Sequence, residues 1–492
     1  VAVQEVLMSN NSVFINNIWK NGDGAHFQSL NPANNEVVFS ANGASAAQVE
    51  AAVNAAHKAQ KSWAKIGRDA RIAIMNNYAE ELKKRADEIA ITISKDTGKP
   101  LWETKTEAAT MVGKIAISTR AYNERTGAFS KVTAFGELAL DHAPYGVMAV
   151  LGPFNFPGHL PNGHIVPALL AGNTIVFKPS ELAPAIANIM ADSFAAAGVP
   201  EGVVNVVHGG RETGAALLAS NLNGVLFTGS ATTGTYIHKL FGGRPEVVLA
   251  LEMGGNNPLI IWEPCEIEAA ADMIIHSSFI TTGQRCSCAR RIILPTGKFG
   301  DAVLEAVIAK SQKMRIGTFD DKDEPFIGPI IHQNMAQNYL KFEQSLIAKG
   351  GKPIMAAKIL DKGPAFVAPA LIDMTNAHER EDEELFAPFA QVFRVDNFDT
   401  AIERANDTKF GLSSGLVCDD ASLWHRALGE MHAGLINWNR PTTGASGELP
   451  FGGPGLSGNG RPSAFYAADY CSYPVAQQNA IMAQRLKAIG LE

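Results

Sequence analysis

Gly283-Gln284-Arg285-Cys286 sets a thiol beside a glycine and an arginine, and Glu252 stands 34 residues upstream in Leu251-Glu252-Met253-Gly254-Gly255. A thiol that attacks and a carboxylate that moves protons are the two halves of nucleophilic catalysis. By residue type alone, a lone cysteine is more often a small buried hydrophobe than a nucleophile. Gly283 permits a tight backbone approach and Arg285 is a cation that would favour a thiolate, so Cys286 is a candidate nucleophile. Cys286-Ser287-Cys288 is not expected to hold a metal, because no second ligand pair has zinc spacing and no Cys-x-x-Cys occurs. Glu252 closes an apolar run, where a carboxylate is costly unless satisfied. A general base and a strand-end cap or ion pair explain it equally well.

Two further stretches carry groups that bind charge. Asn155 lies in Gly152-Pro153-Phe154-Asn155-Phe156-Pro157, where its amide could donate to a developing oxyanion or fix a turn. Gly229-Ser230-Ala231-Thr232-Thr233-Gly234 follows Val225-Leu226-Phe227 and precedes helical sequence. It is not the Gly-x-Gly-x-x-Gly fingerprint, but a serine at a helix N-terminus can hold a pyrophosphate through backbone N–H groups and the helix dipole.

A frame is needed to bring these residues together. Short β-rich runs at 147–151, 174–177, 203–207, 225–227 and 247–251 alternate with segments able to form helices, such as 183–197. That spacing predicts βαβ units and a parallel sheet covered on both faces, with ligands at the carboxyl ends of the strands. A second α/β region runs to about 445, with helices near 266–282 and 300–312 and strands at 291–294 and 391–395. Upstream, Ser45-Ala46-Ala47-Gln48 is a capping box opening a helix, and helical sequence runs from Asp69 to Lys95 before the Gly98 stop and Pro100. The alternation around Gly136 within 130–142 reads as a hairpin or edge strands.

Composition bounds the rest. A chain of 492 residues exceeds one compact core, and 46% hydrophobic with 18% charged residues is ordinary for a globular protein. With 42 basic against 49 acidic side chains the net charge is −7, which argues against a nucleic-acid partner. Five scattered cysteines do not make a disulfide framework, which points to a reducing, cytoplasmic setting. The N-terminal residues lack a secretory pattern, Met8 is a candidate initiator, and no apolar run is long enough to span a membrane.

Seven motifs in order, Pro153-Phe154-Asn155-Phe156-Pro157, Lys178-Pro179-Ser180-Glu181, Phe227-Thr228-Gly229-Ser230, Leu251 to Gly255, Gly283 to Cys286, Glu384-Leu385-Phe386-Ala387-Pro388 and Pro450-Phe451-Gly452-Gly453, resemble those of the aldehyde dehydrogenases along nearly the whole chain. Met253 departs from the leucine often found there, and Ala387 from the usual glycine. The resemblance implies two doubly wound α/β domains: a Rossmann-like NAD-binding domain from 1–121 and 145–251, and a catalytic domain at 252–445. A small β bridging segment from 122–144 and 469–492 would pair subunits into a homodimer or homotetramer, with 446–468 returning to the NAD-binding domain. It further implies that Cys286 attacks an aldehyde, that Asn155 stabilises the oxyanion, and that Glu252 activates the water that hydrolyses the thioester. NAD would be held by Lys178 and Glu181 at the adenosine ribose, by the turn from Gly229 to Gly234, with Ser230 at the pyrophosphate, and by Glu384 with Phe386 at the nicotinamide side. Glu181 would accept from a free 2′-hydroxyl and repel a 2′-phosphate, which favours NAD over NADP.

Longer runs, including Asn155 to Pro167 and Arg461 to Tyr470, resemble members that oxidise a succinylated amino-acid semialdehyde in arginine catabolism. A substrate with two carboxylates calls for donors in its pocket. Gly158, His159, Asn162, Gly163 and His164 make the stretch after Asn155 small and polar, and Arg285, Arg440 and Lys114 are candidate anchors. The rival expectations are a glutamate semialdehyde or pyrroline-5-carboxylate dehydrogenase, a CoA-acylating relative, and a non-catalytic binding protein.

Overall fold

The computed structural model describes residues 11–134, 136–483, 485 and 489–490; Met8 lies outside the described residues. Two seven-stranded sheets organise the chain. In the first, Val248–Met253, Gly224–Gly229, Val147–Leu151, Thr174–Lys178 and Val204–Val207 run parallel in that spatial order. Asn11–Ile15 and Ile18–Asn21 complete that sheet antiparallel. In the second, Ala370–Asp373, Phe389–Val395, Ala289–Pro295, Asn257–Ile261, Ser413–Val417 and Leu435–Trp438 are parallel, and Lys352–Met355 adds an antiparallel edge.

Each sheet separates two apolar clusters, as the two-residue side-chain period requires. Met148 and Val150 face one cluster while Val147 and Ala149 face the other. Ile260 and Ile293 face one side of the second sheet, and Leu259, Ile261, Ile292 and Leu294 the opposite side. Strands buried on both faces must be continuously apolar, which is why these short runs are readable in the sequence.

The strand register sets the active edge. Leu151 lies opposite Lys178 and Phe227 opposite Leu151, while Thr228 stands beside Glu252 on the neighbouring strand. The residues that follow these strands therefore crowd together at one end of the sheet.

The Ala46–Lys65 helix has the Ser45–Gln48 capping box that the sequence predicts. The expected helix from Asp69 to Lys95 is two helices, Arg68–Lys84 and Ala86–Thr97, broken at Arg85 (φ −103°, ψ 13°). Arg85 holds the break by donating to Glu88 at 2.7 and 2.9 Å and to the Ile189 carbonyl at 3.2 Å. The 25-residue helix Leu101–Arg125 buries Ala108, Met111, Ile115, Ala121 and Tyr122, but its buried face also includes Glu103, Thr104, Glu107, Lys114 and Ser118, which blurs the apolar stripe in the sequence.

Phe129–Thr133, Gly136–Pro144 and Ser472–Asn479 form a separate antiparallel sheet. Gly136, at φ 128°, turns the hairpin where a Cβ would collide with the Asn479 carbonyl. Residues 122–125 are the end of the preceding helix, so the protruding strands begin at Phe129.

Candidate active site

The Ile267–Phe279 helix runs into a tight turn, Ile280–Gly283, where Thr281, Thr282 and Gly283 take φ of 57°, 55° and 69°. Left-handed backbone costs a β-branched residue about 1–3 kcal/mol, so other contacts must fix it. Thr282 donates to the Gly328 carbonyl at 2.9 Å, and the Thr281 hydroxyl donates to the Glu103 carboxylate while accepting from Arg285 Nε at 2.6 Å. Gly283 has no room for a Cβ, which would overlap the Ala387 carbonyl. The turn delivers Cys286, a half-buried free thiol, to the cavity wall.

Arg290 and Asn257 fasten the loop from behind. Arg290 donates to the Gly283 carbonyl at 3.1 and 3.2 Å and to the Arg285 carbonyl at 3.0 Å. Asn257 Nδ2 donates to the carbonyls of Cys286 at 2.7 Å and Cys288 at 2.9 Å. Burial pushes the Cys286 thiol well up, Glu384 and Glu252 push it further, and the Arg290 cation opposes them. The cation acting on the thiol is thus Arg290. Arg285, the neighbour suggested by the sequence, pairs with Glu103 at 3.0 Å and lies over the Phe156 ring at 5.0 Å. Besides these main-chain carbonyls Arg290 faces Glu384 at 3.9 Å and lies over the Phe386 ring at 5.2 Å, partners almost a hundred residues away that residue type alone does not reveal. Cys288 is fully buried with its Sγ 3.9 Å from the Ile280 carbonyl, a packing position.

Asn155 reaches the same loop: its Nδ2 donates to the Gln284 carbonyl at 2.9 Å. An amide has a second N–H that this bond leaves over. Its own carbonyl accepts from Lys99 Nζ at 2.8 Å, and Lys99 is ion-paired to buried Glu107 at 2.5 Å. Asn155 is therefore held rigidly before any ligand arrives.

Glu252 is 3% exposed, and its Oε2 has no hydrogen-bond partner among the described residues. Burial raises its pKa well above the ordinary carboxylate range, against the opposing Ser463 backbone bond. No cation is paired with it among the described residues, so the strand-end ion pair that would have explained it is absent. Gly452, at φ 157°, brings backbone against this carboxylate, where a Cβ would lie 2.7 Å from Oε1.

Two cavities meet here, of about 370 Å³ and 720 Å³, and Cys286, Glu252, Thr228, Leu160 and Phe451 belong to both walls. The larger lies along the strand exits. Gly229, Ser230, Thr233, Asn155, Glu384 and Phe386 line it. Ser230 caps the Ala231–Leu240 helix, accepting from the Thr233 N–H at 3.2 Å. Glu384 accepts from the Gly255 N–H at 2.9 Å, and burial raises its pKa to about 7. Phe386 meets Phe154 edge-on at 6.0 Å.

Other candidate residues stand off that wall. Ala231 and Thr232 begin the helix without lining the cavity, and Gly234 is a packing glycine whose Cβ would overlap Met253 Sδ. Lys178 and Glu181 pair at 3.3 Å around Ser180, which does line the cavity. Lys178 is buried with its pKa lowered, while Glu181 is exposed. An open helix N-terminus with a serine cap, beside a carboxylate and an aromatic ring in a cavity of this size, suits a dinucleotide.

The smaller cavity is lined by Thr106, Thr110 and Lys114 of the Leu101–Arg125 helix and by His159, Gly163 and His164 of the His159–Ala171 helix. Gly158 and Asn162, which read as polar lining in the sequence, turn inward. Gly158 has no room beside Met111, and Asn162 donates to the Met111 carbonyl at 3.0 Å and accepts from Tyr78 at 3.2 Å. Arg440 is exposed and outside both walls.

Residues 19–474 match the model of the aldehyde dehydrogenase family. The chain belongs to that family. It is accordingly an oxidoreductase that acts on aldehydes. It is 52% identical over 472 residues to N-succinylglutamate 5-semialdehyde dehydrogenase 2 of Caulobacter vibrioides, covering 96% of each chain. It is 49% identical over 466 residues to N-succinylglutamate 5-semialdehyde dehydrogenase of Chromobacterium violaceum, covering 94% of this chain and 96% of the relative. Among solved structures, an aldehyde dehydrogenase from Brucella melitensis biovar abortus superposes with a TM-score of 0.89 at 27% identity, over 97% of this chain and 99% of that one. The 1-pyrroline-5-carboxylate dehydrogenase from Thermus, solved with bound NAD, superposes with a TM-score of 0.87 at 29% identity, over 95% and 92%. Two doubly wound α/β units are thus the family fold. Among the described residues no helix is long and apolar enough to cross a membrane, and no group of three or more His, Cys, Asp or Glu is placed to hold a metal ion.

Proposed function

We propose that this chain oxidises N-succinyl-L-glutamate 5-semialdehyde to N-succinyl-L-glutamate with NAD and water, in the succinyltransferase route of arginine catabolism. The observation that carries the chemistry is a thiol and an unpaired buried carboxylate on the wall common to two cavities. The relatives' names support the substrate.

Cys286 gives its thiol proton to ionised Glu252, which passes it on to solvent, and Sγ attacks the aldehyde carbon from the smaller cavity, giving a thiohemiacetal. The Asn155 amide and the Cys286 N–H hold the oxyanion. Collapse of that adduct forms the thioester and releases a hydride. A nicotinamide bound in the larger cavity supplies its acceptor. Glu252, in the ionised form and made a stronger base by burial, then takes a proton from the water that attacks the thioester carbonyl, and the leaving thiolate is reprotonated as the acid is freed. Hydrolysis by this base is what favours the reading over a CoA-acylating enzyme.

Cofactor binding rests on Lys178 and Glu181 at the adenosine ribose, Ser230 and its turn at the pyrophosphate, and Glu384 with Phe386 at the nicotinamide end. Glu181 supports NAD over NADP through repulsion of a 2′-phosphate. In this reading 1–121 and 145–251 bind cofactor, 252–445 carries the nucleophile, and 446–468 returns to the cofactor-binding side. The sheet of Phe129–Thr133, Gly136–Pro144 and Ser472–Asn479, within the expected 122–144 and 469–492 bridging segment, joins subunits into a homodimer or homotetramer, for which the exposed Phe129, Val132 and Leu138 are suited. Five free cysteines support a cytoplasmic setting.

Side-by-side kinetics on the succinylated and unsuccinylated semialdehyde test the substrate. We expect kcat/KM at least about tenfold higher for the succinylated compound, as one well-placed charged contact would give. Equal values would return the assignment to a glutamate semialdehyde dehydrogenase.

A further inference from the structure

Lys114 is the uncompensated charge of the smaller cavity. It is 2% exposed, it lines the wall, and no hydrogen bond or ion pair engages it among the described residues. The other charged groups on that wall have partners or a role. Glu103 is paired with Arg285 at 3.0 Å. Glu107 is paired with Lys99 at 2.5 Å and accepts from the Gly158 and His159 N–H groups at 3.1 Å. Glu252 is the proposed base.

The surroundings of Lys114 leave no anion for it. On the facing helix Gly163 is small, and a Cβ there would already touch Lys114 Cε at 3.6 Å. His164 is committed on both nitrogens, to Tyr470 at 2.8 Å and Thr228 at 3.0 Å. His159 also lines the cavity, and its buried Nδ1 has no partner among the described residues. Burial, with the Lys114 charge adding to it, holds both rings neutral and lowers each pKa to about 3. A buried ammonium without a counter-ion is costly, and here burial lowers its pKa to about 8. Such a group is retained at a cavity wall when a ligand completes it.

We infer that Lys114, with His159 beside it, binds a carboxylate of the substrate and thereby selects acidic aldehydes. This rests on the reading above that the substrate is a dicarboxylate; the two carboxylates offer the same chemistry, and the test separates them.

The experiment compares wild type with Lys114→Met and Lys114→Gln on four aldehydes. N-succinyl-L-glutamate 5-semialdehyde carries both carboxylates, N-acetyl-L-glutamate 5-semialdehyde only the α-carboxylate, 4-(succinylamino)butanal only the distal one, and butanal neither. Both variants should lose about 10- to 100-fold in kcat/KM, mainly through KM, on whichever acidic aldehydes present the recognised carboxylate. Butanal should change by about twofold or less, which also reports that the variants fold. The arm that keeps the loss identifies the carboxylate. An equal fall on all four aldehydes, or none on any, overturns the Lys114 role while a wild-type preference for the diacid leaves the substrate reading standing. Where wild type itself shows no such preference, the substrate reading fails. Competitive inhibition by glutarate then decides for Lys114: weaker inhibition of Lys114→Met supports the role, and unchanged inhibition ends it.

Discussion

On one side of Cys286 the cavity wall joins strand exits and a capped helix start to side chains of the Gln333–Ala348 helix and of 381–386; on the other it is mainly side chains projected from two helices. The larger cavity draws on Gly229 and Ser230, and on Glu384 held by the Gly255 N–H, at positions set by the ends of the parallel strands. The smaller draws on Thr110, Lys114, His159 and Gly163, which any substitution could change without disturbing a strand. A wall anchored on strand exits and a helix start serves a constant ligand, and one made of helix side chains is free to choose. The thiol and carboxylate on the common wall serve both.

That contrast can be broken most severely at the common wall. Cys286→Ala should abolish turnover, by at least about 10⁴-fold, while NAD affinity measured by fluorescence titration stays within about threefold. Loss of NAD binding would mean that the loop organises the larger cavity as well, and near-normal turnover would remove Cys286 as nucleophile.

Glu252→Gln should act later and less. Steady-state turnover should fall by about 10²- to 10⁴-fold, with a burst of NADH preserved in stopped flow, because the base is needed for hydrolysis of the acyl enzyme. The pKa of Glu252 is raised by burial, so the unprotonated base is present only above that raised value. Wild-type kcat should therefore rise with pH and fall as the carboxylate is protonated, and that limb should vanish in the variant. A variant without a burst, or with the limb intact, contradicts the role.

The smallest effect belongs to the exposed rim of the larger cavity. Glu181→Gln should narrow the ratio of kcat/KM for NAD over NADP by about tenfold, since one exposed carboxylate opposes a phosphate weakly. Little change in that ratio would assign discrimination to the buried Lys178 side of the pair instead.

The strands and their exits were legible because a strand covered on both faces must be apolar and must end in residues that turn. The hairpin around Gly136 and the Ser45 cap were legible for equally local reasons. The Leu101–Arg125 helix was not, because its inward face mixes apolar residues with Glu103 and Glu107, which are paired with distant Arg285 and with Lys99 just before the helix. The break at Arg85 is fixed by a bond to Ile189, far along the chain. Within the site, the motifs marked Cys286, Glu252, Asn155 and Glu384 by type and order. Arg290 escaped notice because its partners, the loop carbonyls and distant Glu384, are brought to it by the fold, and Gly158 and Asn162 misled because polar or small residues can serve packing as well as ligands.

By itself the sequence determined the kind of chemistry and its scaffold: a thiol and a carboxylate in family order, and apolar runs at the spacing of βαβ units. Those are properties of residue type and local period. Only the tertiary structure decided which cation faces the thiol, that Glu252 is buried without a counter-ion, and that Lys114 is the charge left uncompensated in the smaller cavity. Pairing and desolvation depend on neighbours distant in sequence, and residue order carries no direct record of them.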